Sequence, residues 1–511
     1  MRERDGALHA RAGREQNRKG KPVYPEEETE MKDMKMLIGG QFVDASDGGV
    51  MKNYNPYTGE LIGTVPAATK EDTDRAVANA VEGAKVWGAM RCDERDVILE
   101  RFLALVEEHK EEIAQMTTEE SGKTISESRS EVSLVPQIFH AYMHAASTMY
   151  GETLPLGGER RIAGDLAMTI WEPLGVCVCI APFNYPISTM TNKVAPALCA
   201  GNSVIMKPAS DTPMATLMYA KLMMEAGMPA NVIQCVTGSG SKFGGWITAN
   251  KDVAAISVTG STQVGKVTME QASRNLQKVL LELGGNDPLI IFGDADVDES
   301  VAEALNGHIY NAGQVCSGSK RFIVQNSVKE EFTAKLIEAL RKVPRGIPTD
   351  DAAVYSCLIN KAAADNILRQ IQDTVALGAK LVCGGERTSD TIVEPAVLTD
   401  VTKDMPIAQD MEVFGPVFPI IGFDTWEEAV AIANNTCYGL SSGVMTGNMR
   451  TALRTAKALE AGTCVINGTG DYRTSYHGFG GRKMSGIGRE GAIHTLEEFS
   501  ETKTIVLRRM L

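Results

Sequence analysis

No stretch of this sequence reaches the roughly 18 consecutive apolar residues that a membrane-spanning helix needs. The most apolar segment, Leu174 to Phe183, is only of strand length, so no membrane partner is expected. A basic surface is missing too: the net charge of -14 argues against a nucleic-acid partner, because phosphate binding wants a positive field. The ten cysteines follow no regular spacing, which does not suggest a disulfide framework, and reduced thiols suit a cytoplasmic location. Seven scattered histidines form no metal constellation, so no metal is expected. Cys177 and Cys179 alternate on a strand with both side chains on one face, a pattern of packing more than of ligation. Residues 1–35 lack almost all aliphatic side chains and are expected to form a disordered or loosely attached arm. They have no apolar core of a targeting signal, and Met31, Met34 and Met36 offer later starts.

What the chain does have is core material. With 511 residues, 43% hydrophobic and 23% charged, it has the composition of a globular protein of roughly two to four domains. From Met36 to Val65 short strands alternate with Gly and Pro turns. Helices follow over Asp74–Trp87, where Thr69 or Asp72 can cap, over Val97–Met116, and between Ser121 and Met149. Between Gly175 and Gly285 the pattern becomes strand, turn and helix in alternation, with strands at 176–181, 203–206, 232–236 and 254–258. Four strands separated by helices predict a parallel, doubly wound sheet with ligands at the carboxyl ends of its strands. A second alternating unit runs from about Gly284 to Gly486, interrupted by a loop-rich crossing between Pro406 and Pro419. Turn residues Gly164 and Asp165 make Arg160–Glu172 a hairpin candidate.

Two stretches carry chemistry. Cys316 sits on the link between a helical pattern (Val301, Leu305, Ile309) and a strand (Phe322–Val324), and Gly313 and Gly318 remove Cβ atoms on both sides of it. A planar substrate could approach such a sulfur, with the Cys316 N–H pointing at it; an inert buried thiol is the plainer alternative. Glu282 lies in the apolar context Leu280–Leu283, where desolvation raises a carboxyl toward the range of a general base. The alternative is a surface or capping glutamate. His308 is the only histidine near Cys316, so a Cys/His hydrolase has little support. Gly238 to Gly244 approximates a dinucleotide glycine fingerprint with one residue too many, or is an ordinary turn. Gly260-Ser261-Thr-Gln-Val264-Gly265 precedes a helix and could aim backbone N–H groups at phosphate.

With these stand Ala181-Pro182-Phe183-Asn184-Tyr-Pro186, Lys207-Pro-Ala-Ser210, Thr259–Thr262, Glu282-Leu283-Gly-Gly285, Gly313–Cys316, Glu412-Val-Phe414-Gly-Pro416 and Phe479-Gly-Gly481. In this order, from about Leu37 to the end of the chain, they resemble the NAD(P)-dependent aldehyde dehydrogenases. The resemblance implies an α/β chain, aldehyde dehydrogenase-like, of two doubly wound domains and a small β oligomerisation hairpin. Residues 36–155 and 174–283 would bind NAD or NADP, 284–486 would be catalytic, and 156–173 with 487–511 would join a homo-oligomer, a dimer or a tetramer. Cys316 would be the nucleophile, Glu282 the base, and the Asn184 amide an oxyanion donor, where otherwise a turn-forming Asn would be read. The coenzyme would meet Ala181, Pro182, Phe183, Lys207, Ser210, Gly240, Gly244, Gly260, Ser261, Val264 and Leu283, with Glu412 on the nicotinamide ribose and Phe414 beside the ring. Ser210 stands where NAD-preferring members often carry Glu. Without that carboxylate the 2′-phosphate of NADP is not repelled, so NADP is expected to be accepted.

The aldehyde is less legible. Arg473 is a candidate for an anionic tail, or a solvated loop arginine, and Phe479 lies in the family's substrate region. Lactaldehyde, a semialdehyde and glyceraldehyde 3-phosphate stay open, although Val315 weakens a phosphate-specific reading because some phosphate-specific relatives have Arg before the cysteine. A CoA-acylating dehydrogenase and a non-catalytic binding or structural relative are the alternatives.

Overall fold

A computed structural model describes residues 32–154 and 164–509. Most of the expected arm, residues 1–31, lies outside the described residues. Its last part is a correction, for Lys32–Asp33 is a short strand paired in parallel with Gly63 and Thr64, and the Lys32 ammonium reaches Glu119 at 2.6 Å.

The expected parallel sheet is present and wider than the four strands read from the sequence. Its order is Gly486–Ile487, Lys278–Glu282, Ala255–Thr259, Val176–Ile180, Ser203–Lys207, Ile233–Cys235, Met36–Ile38 and Gln41–Val43. The five central strands run parallel and the outer ones antiparallel. From Val176–Ile180 the chain moves outward one way through two strands, then returns to add Ala255–Thr259 on the other side. That reversal opens a crevice at the carboxyl ends of Val176–Ile180 and Ala255–Thr259. Lys278–Glu282 extends the sheet beside it, a strand not among the four read from the sequence. Cys177 and Cys179 are both fully buried in the core beneath the sheet, as alternation implies.

Helices over the sheet start where the sequence provides partners. Thr69 caps Lys70–Ala89, accepting from the Asp72 N–H at 3.2 Å while Asp72 accepts from the Thr69 N–H at 3.0 Å. The single helix expected over Val97–Met116 is two, Cys92–Glu108 and Lys110–Ser121, broken at His109. Pro186–Cys199 and Met214–Glu225 have no cap of their own. Buried carboxylates from neighbouring helices take their first N–H groups instead: Glu131 accepts from Ile187 and Ser188, both at 2.9 Å, and Glu120 from Met214 and Ala215.

A second sheet has the order Lys380–Cys383, Ala396–Val401, Val417–Phe423, Ser319–Gln325, Asp287–Ile291, Gly443–Met445 and Val465–Ile466, parallel except at its first strand. Val417–Phe423 corrects the loop-rich crossing. Pro419 argued against a central strand, but pairing with Ser319–Gln325 begins only at Ile420, so the missing N–H costs that ladder nothing. Only Leu283–Asn286 separates the last residue of Lys278–Glu282 from the first of Asp287–Ile291. The carboxyl ends of one sheet therefore face the amino ends of the other.

The hairpin arm at 156–163 lies outside the described residues. Leu166–Pro173 pairs antiparallel with Thr153–Leu154 and with Ser500–Leu507, so the small sheet draws on residues before 156. The carboxy-terminal boundary also moves. Gly486–Ile487 joins the first sheet and Ala492, Leu496 and Phe499 enter its core, which leaves only Ser500–Leu507 for the small sheet.

Gly83, inside Lys70–Ala89, allows a close approach: a Cβ there would lie 1.9 Å from the Asn231 carbonyl oxygen. Gly83→Ala, which in an open helix gains about 1 kcal/mol, is therefore expected to lose roughly 1–3 kcal/mol through overpacking. A lowered melting temperature in thermal denaturation is the expected result.

Candidate active site

The crevice between the two sheets holds a cavity of about 480 Å³. Three turns of the first sheet build one wall. Pro182, Phe183 and Asn184 follow Val176–Ile180; Thr259 ends Ala255–Thr259 and Gly260 and Ser261 follow it; Glu282 ends Lys278–Glu282 and Leu283 follows it. The amino ends of the second sheet bring Cys316, Glu412 and Phe414, and the carboxy-terminal loop brings Arg473 and Phe479. A sulfur and a carboxylate far apart in sequence thus line one space.

Cys316 is held by an unusual approach. After the helix Val297–Ile309 the backbone turns through three left-handed residues, Asn311 (φ 46°), Ala312 (φ 52°) and Gly313 (φ 76°). Glu127 accepts from the Asn311 N–H at 2.8 Å, and the Asn311 amide donates to the Asn184 carbonyl at 3.0 Å. The Asn184 amide in turn donates to the Gln314 carbonyl at 2.8 Å, so its loop and the cysteine loop are laced together. One of its two amide donors is thereby used and the other is left for a ligand. Gly313 and Gly318 do not serve to open the sulfur to a substrate, as the sequence had suggested. A Cβ on Gly313 would lie 2.4 Å from the Gly415 oxygen, and one on Gly318 would lie 3.2 Å from that of Gly307. They allow backbones to meet.

Glu282 is buried, and its Oε1 has no hydrogen-bond partner. Burial, helped by the nearby Glu490 carboxylate, pushes its carboxyl up to about 8. Cys316 is likewise held well above the ordinary thiol value, first by burial and then by Glu282, with Lys320 and Arg473 pulling the other way. His308 does not line the cavity: it is fully buried between Phe322 and Phe418, bonded to the Val417 carbonyl at 2.9 Å, and pushed down to about 3 by burial.

The remaining candidates divide. Glu412 lines the cavity, accepting from the Gly285 N–H at 3.1 Å, and Phe414 meets Phe183 edge-on at 6.0 Å. Ala181, Lys207, Ser210, Gly240, Gly244 and Val264 lie outside the cavity wall, although on the same edge of the first sheet. Ala181 is buried directly behind Pro182. The Lys207 ammonium bonds the Pro208 carbonyl at 2.7 Å, and burial lowers it to about 8. Ser210 donates to the Gly238 carbonyl at 3.1 Å and borders a separate polar hollow. Gly240 opens the helix Gly240–Thr248, and both it and Gly244 have open space where a Cβ would stand. Val264 is half exposed, its N–H bonded to Ser261 Oγ at 3.3 Å.

Arg473 is not a loose surface group. Its guanidinium pairs with Glu490 at 2.5 Å and lies 4.4 Å over the Phe479 ring, with about a third of the side chain (33%) still open to solvent. Glu490, Lys193, Tyr310 and Asp471 were not singled out in the sequence. Lys193 meets Glu490 at 2.8 Å; the other three line the cavity. Lys193 and Glu490 are far apart in the chain and lie in no motif, so only the fold could pair them.

The aldehyde dehydrogenase family model matches residues 42–505. Among solved structures, an aldehyde dehydrogenase from Brucella melitensis biovar abortus 2308 is 37% identical with a TM-score of 0.90, over 95% of this chain and 99% of that one. The chain belongs to the aldehyde dehydrogenase family. An E. coli NADP dependent enzyme is 35% identical (TM-score 0.90, 93% and 98% of the two chains). Betaine aldehyde dehydrogenase from Staphylococcus aureus in complex with NAD+ is 34% identical (TM-score 0.90, 93% and 95%). The protein is an NAD(P)-dependent enzyme acting on an aldehyde. Its cavity fits such a coenzyme: Thr259 Oγ1 and Glu282 Oε1 are buried without partners, and the glycine-opened helix Gly240–Thr248 lies on the same sheet edge.

The Glu282 carboxyl links pH to stability. Its native value of about 8 lies above the ordinary 4.5, so the neutral form contributes stability that is complete below 4.5 and lost as pH rises through about 8. Glu282→Gln is expected to melt within about 1 °C of wild type at pH 4.5 and a few degrees above it near pH 9. A pH-independent difference in melting temperature would refute this.

Proposed function

We propose that the enzyme oxidises a short aldehyde carrying one negative charge to its carboxylic acid, through a thiohemiacetal and a thioester on Cys316. The observation that carries this reading is the shared cavity of Cys316, Glu282 and Asn184 beside Glu412 and Phe414. Cys316 Sγ bonds the aldehyde carbon, and the thiol proton leaves through Glu282 or water. Oxygen charge then develops where the free Asn184 N–H and the Cys316 N–H can meet it. When bound, the coenzyme's nicotinamide accepts the hydride from that carbon. Glu282, ionised above about pH 8, takes a proton from water, whose oxygen adds to the thioester carbon; the C–S bond breaks and the acid departs. Pro182, Phe183, Leu283, Gly260, Ser261, Glu412 and Phe414 would hold the nicotinamide half. Ala181, Lys207, Ser210, Gly240, Gly244 and Val264 would lie along the rest of the dinucleotide.

Arg473 supports the substrate class: among the described residues that line the cavity it is the only cation, and its partner Glu490 is shared with Lys193 behind the wall. One guanidinium balances the single charge of a carboxylate and not the two of a phosphate dianion. A semialdehyde therefore ranks ahead of glyceraldehyde 3-phosphate, and lactaldehyde is the neutral competitor.

A homo-oligomer, dimer or tetramer, forms through the small sheet, whose edge strand Ser500–Leu507 is paired on one side only among the described residues; size-exclusion chromatography with light scattering tests this. The ten free cysteines suit a reducing, cytoplasmic location.

Cys316→Ala is expected to lower aldehyde oxidation at least 10³-fold, on the order expected for loss of a covalent nucleophile, while coenzyme binding followed by fluorescence is unchanged; retained turnover sinks the reading. Glu282→Gln should release one burst of reduced coenzyme and then stall without CoA. A wild type that forms acid only when CoA is supplied would favour the acylating alternative. Arg473→Gln should raise KM about tenfold for succinate semialdehyde, roughly one lost charged contact, and leave that for lactaldehyde within twofold. A panel of both aldehydes against NAD and NADP reads these changes and the coenzyme preference.

A further inference from the structure

A buried cation stands behind the cysteine, outside the reaction described above. Lys320, the second residue of Ser319–Gln325, has 1% of its side chain exposed. Its ammonium lies 2.6 Å from the Cys316 carbonyl oxygen, 3.4 Å from that of Gly318 and 3.7 Å from Glu412 Oε1. It therefore holds both ends of the turn that follows the sulfur and touches the carboxylate on the coenzyme side. Beside it is Asp287, first residue of the adjacent strand, whose Oδ2 has no hydrogen-bond partner.

We propose that Lys320 is a positioning residue for the nucleophile, fixing the Cys316–Gly318 turn and supplying the buried positive charge against which the Cys316 thiolate forms. The proposal rests on reading Cys316 as the nucleophile. The charges that face the sulfur are Glu282 from the first sheet, Asp287 and Lys320 from the second, and Arg473 from the carboxy-terminal loop. Lys320 itself faces Glu412, Asp287 and His308. Arg473 is already paired with Glu490, and Arg321 spends its guanidinium on the carbonyls of Asn286, Ala408, Ile432 and Ala433. Two of the contacts of Lys320 are neutral carbonyls, so much of its charge is left to act on the sulfur through a medium that screens poorly. Without it, Cys316 would face two carboxylates and one committed arginine.

Alkylation by iodoacetamide in coenzyme-free protein, located by peptide mass, reads the thiolate directly. Lys320→Met is expected to slow alkylation of Cys316 at pH 8 about tenfold, the effect of one unit in the thiol pKa, and to lower kcat more than it raises KM. Lys320→Arg, which keeps the charge, should stay within about threefold of wild type, a rescue that a purely space-filling role would not give. A Met variant that melts like the wild type and is alkylated at the wild-type rate overturns the proposal. Should the Met variant fail to fold, Asp287→Asn decides: removing the competing carboxylate should speed alkylation about two- to threefold, and an unchanged rate overturns it. Because alkylation reports on the thiol itself, these outcomes stand apart from Cys316→Ala, which tests whether the thiol is the nucleophile.

Discussion

Leu283–Asn286 is the short bridge on which the architecture turns, since it forces a strand of one sheet to end where a strand of the other begins. The returning strand Gly486–Ile487 locks the near side by pairing with Leu281 and Glu282, and Ser485 accepts the Leu283 N–H at 2.9 Å. Gly486 is needed there because a Cβ would lie 2.2 Å from the Leu281 carbonyl. Glu282 consequently sits buried at a strand terminus with no partner for one oxygen. A carboxyl held in that way keeps its proton to an unusually high pH, a costly arrangement in stability and a useful one for a base.

Around this junction the chain distributes buried charge in layers. Glu490 lies between Lys193 and Arg473, and their two positive charges hold its carboxyl below the ordinary range despite its burial. Glu282, nearby but without a partner, goes the opposite way. Two carboxylates in one cavity thus differ because one received cations and the other did not. Behind the cysteine a second layer, Lys320 with Glu412 and Asp287, repeats the theme on the other sheet. The helix Ile125–Ser147 supports both loops at once: Glu127 accepts from the Asn311 N–H on the cysteine side, and Glu131 caps the helix that follows Asn184.

Much of the fold was legible because its signals are local. Alternation between Gly175 and Gly285 marks a parallel sheet, and the helix Lys70–Ala89 covers the span Asp74–Trp87 read from its apolar periodicity. Failures occurred where a local rule met a tertiary exception. Pro419 masked a strand whose neighbouring ladder starts one residue later. Gly313 and Gly318 suggested an open approach to the sulfur, whereas close backbone packing explains them. The boundary at 487 failed because the helix Ala492–Glu498 packs into a core built from distant segments.

The sequence by itself determined the alternating architecture and singled out Cys316 and Glu282 as the candidates for chemistry, each in a motif that periodicity and family resemblance expose. Only the tertiary structure decided which charges meet. Lys193 with Glu490 and Lys320 with Glu412 are contacts between segments that share no spacing. Periodicity records what a residue does to its own helix or strand. The field at a buried sulfur or carboxyl instead sums over every charge within a few ångströms, whatever its place in the chain.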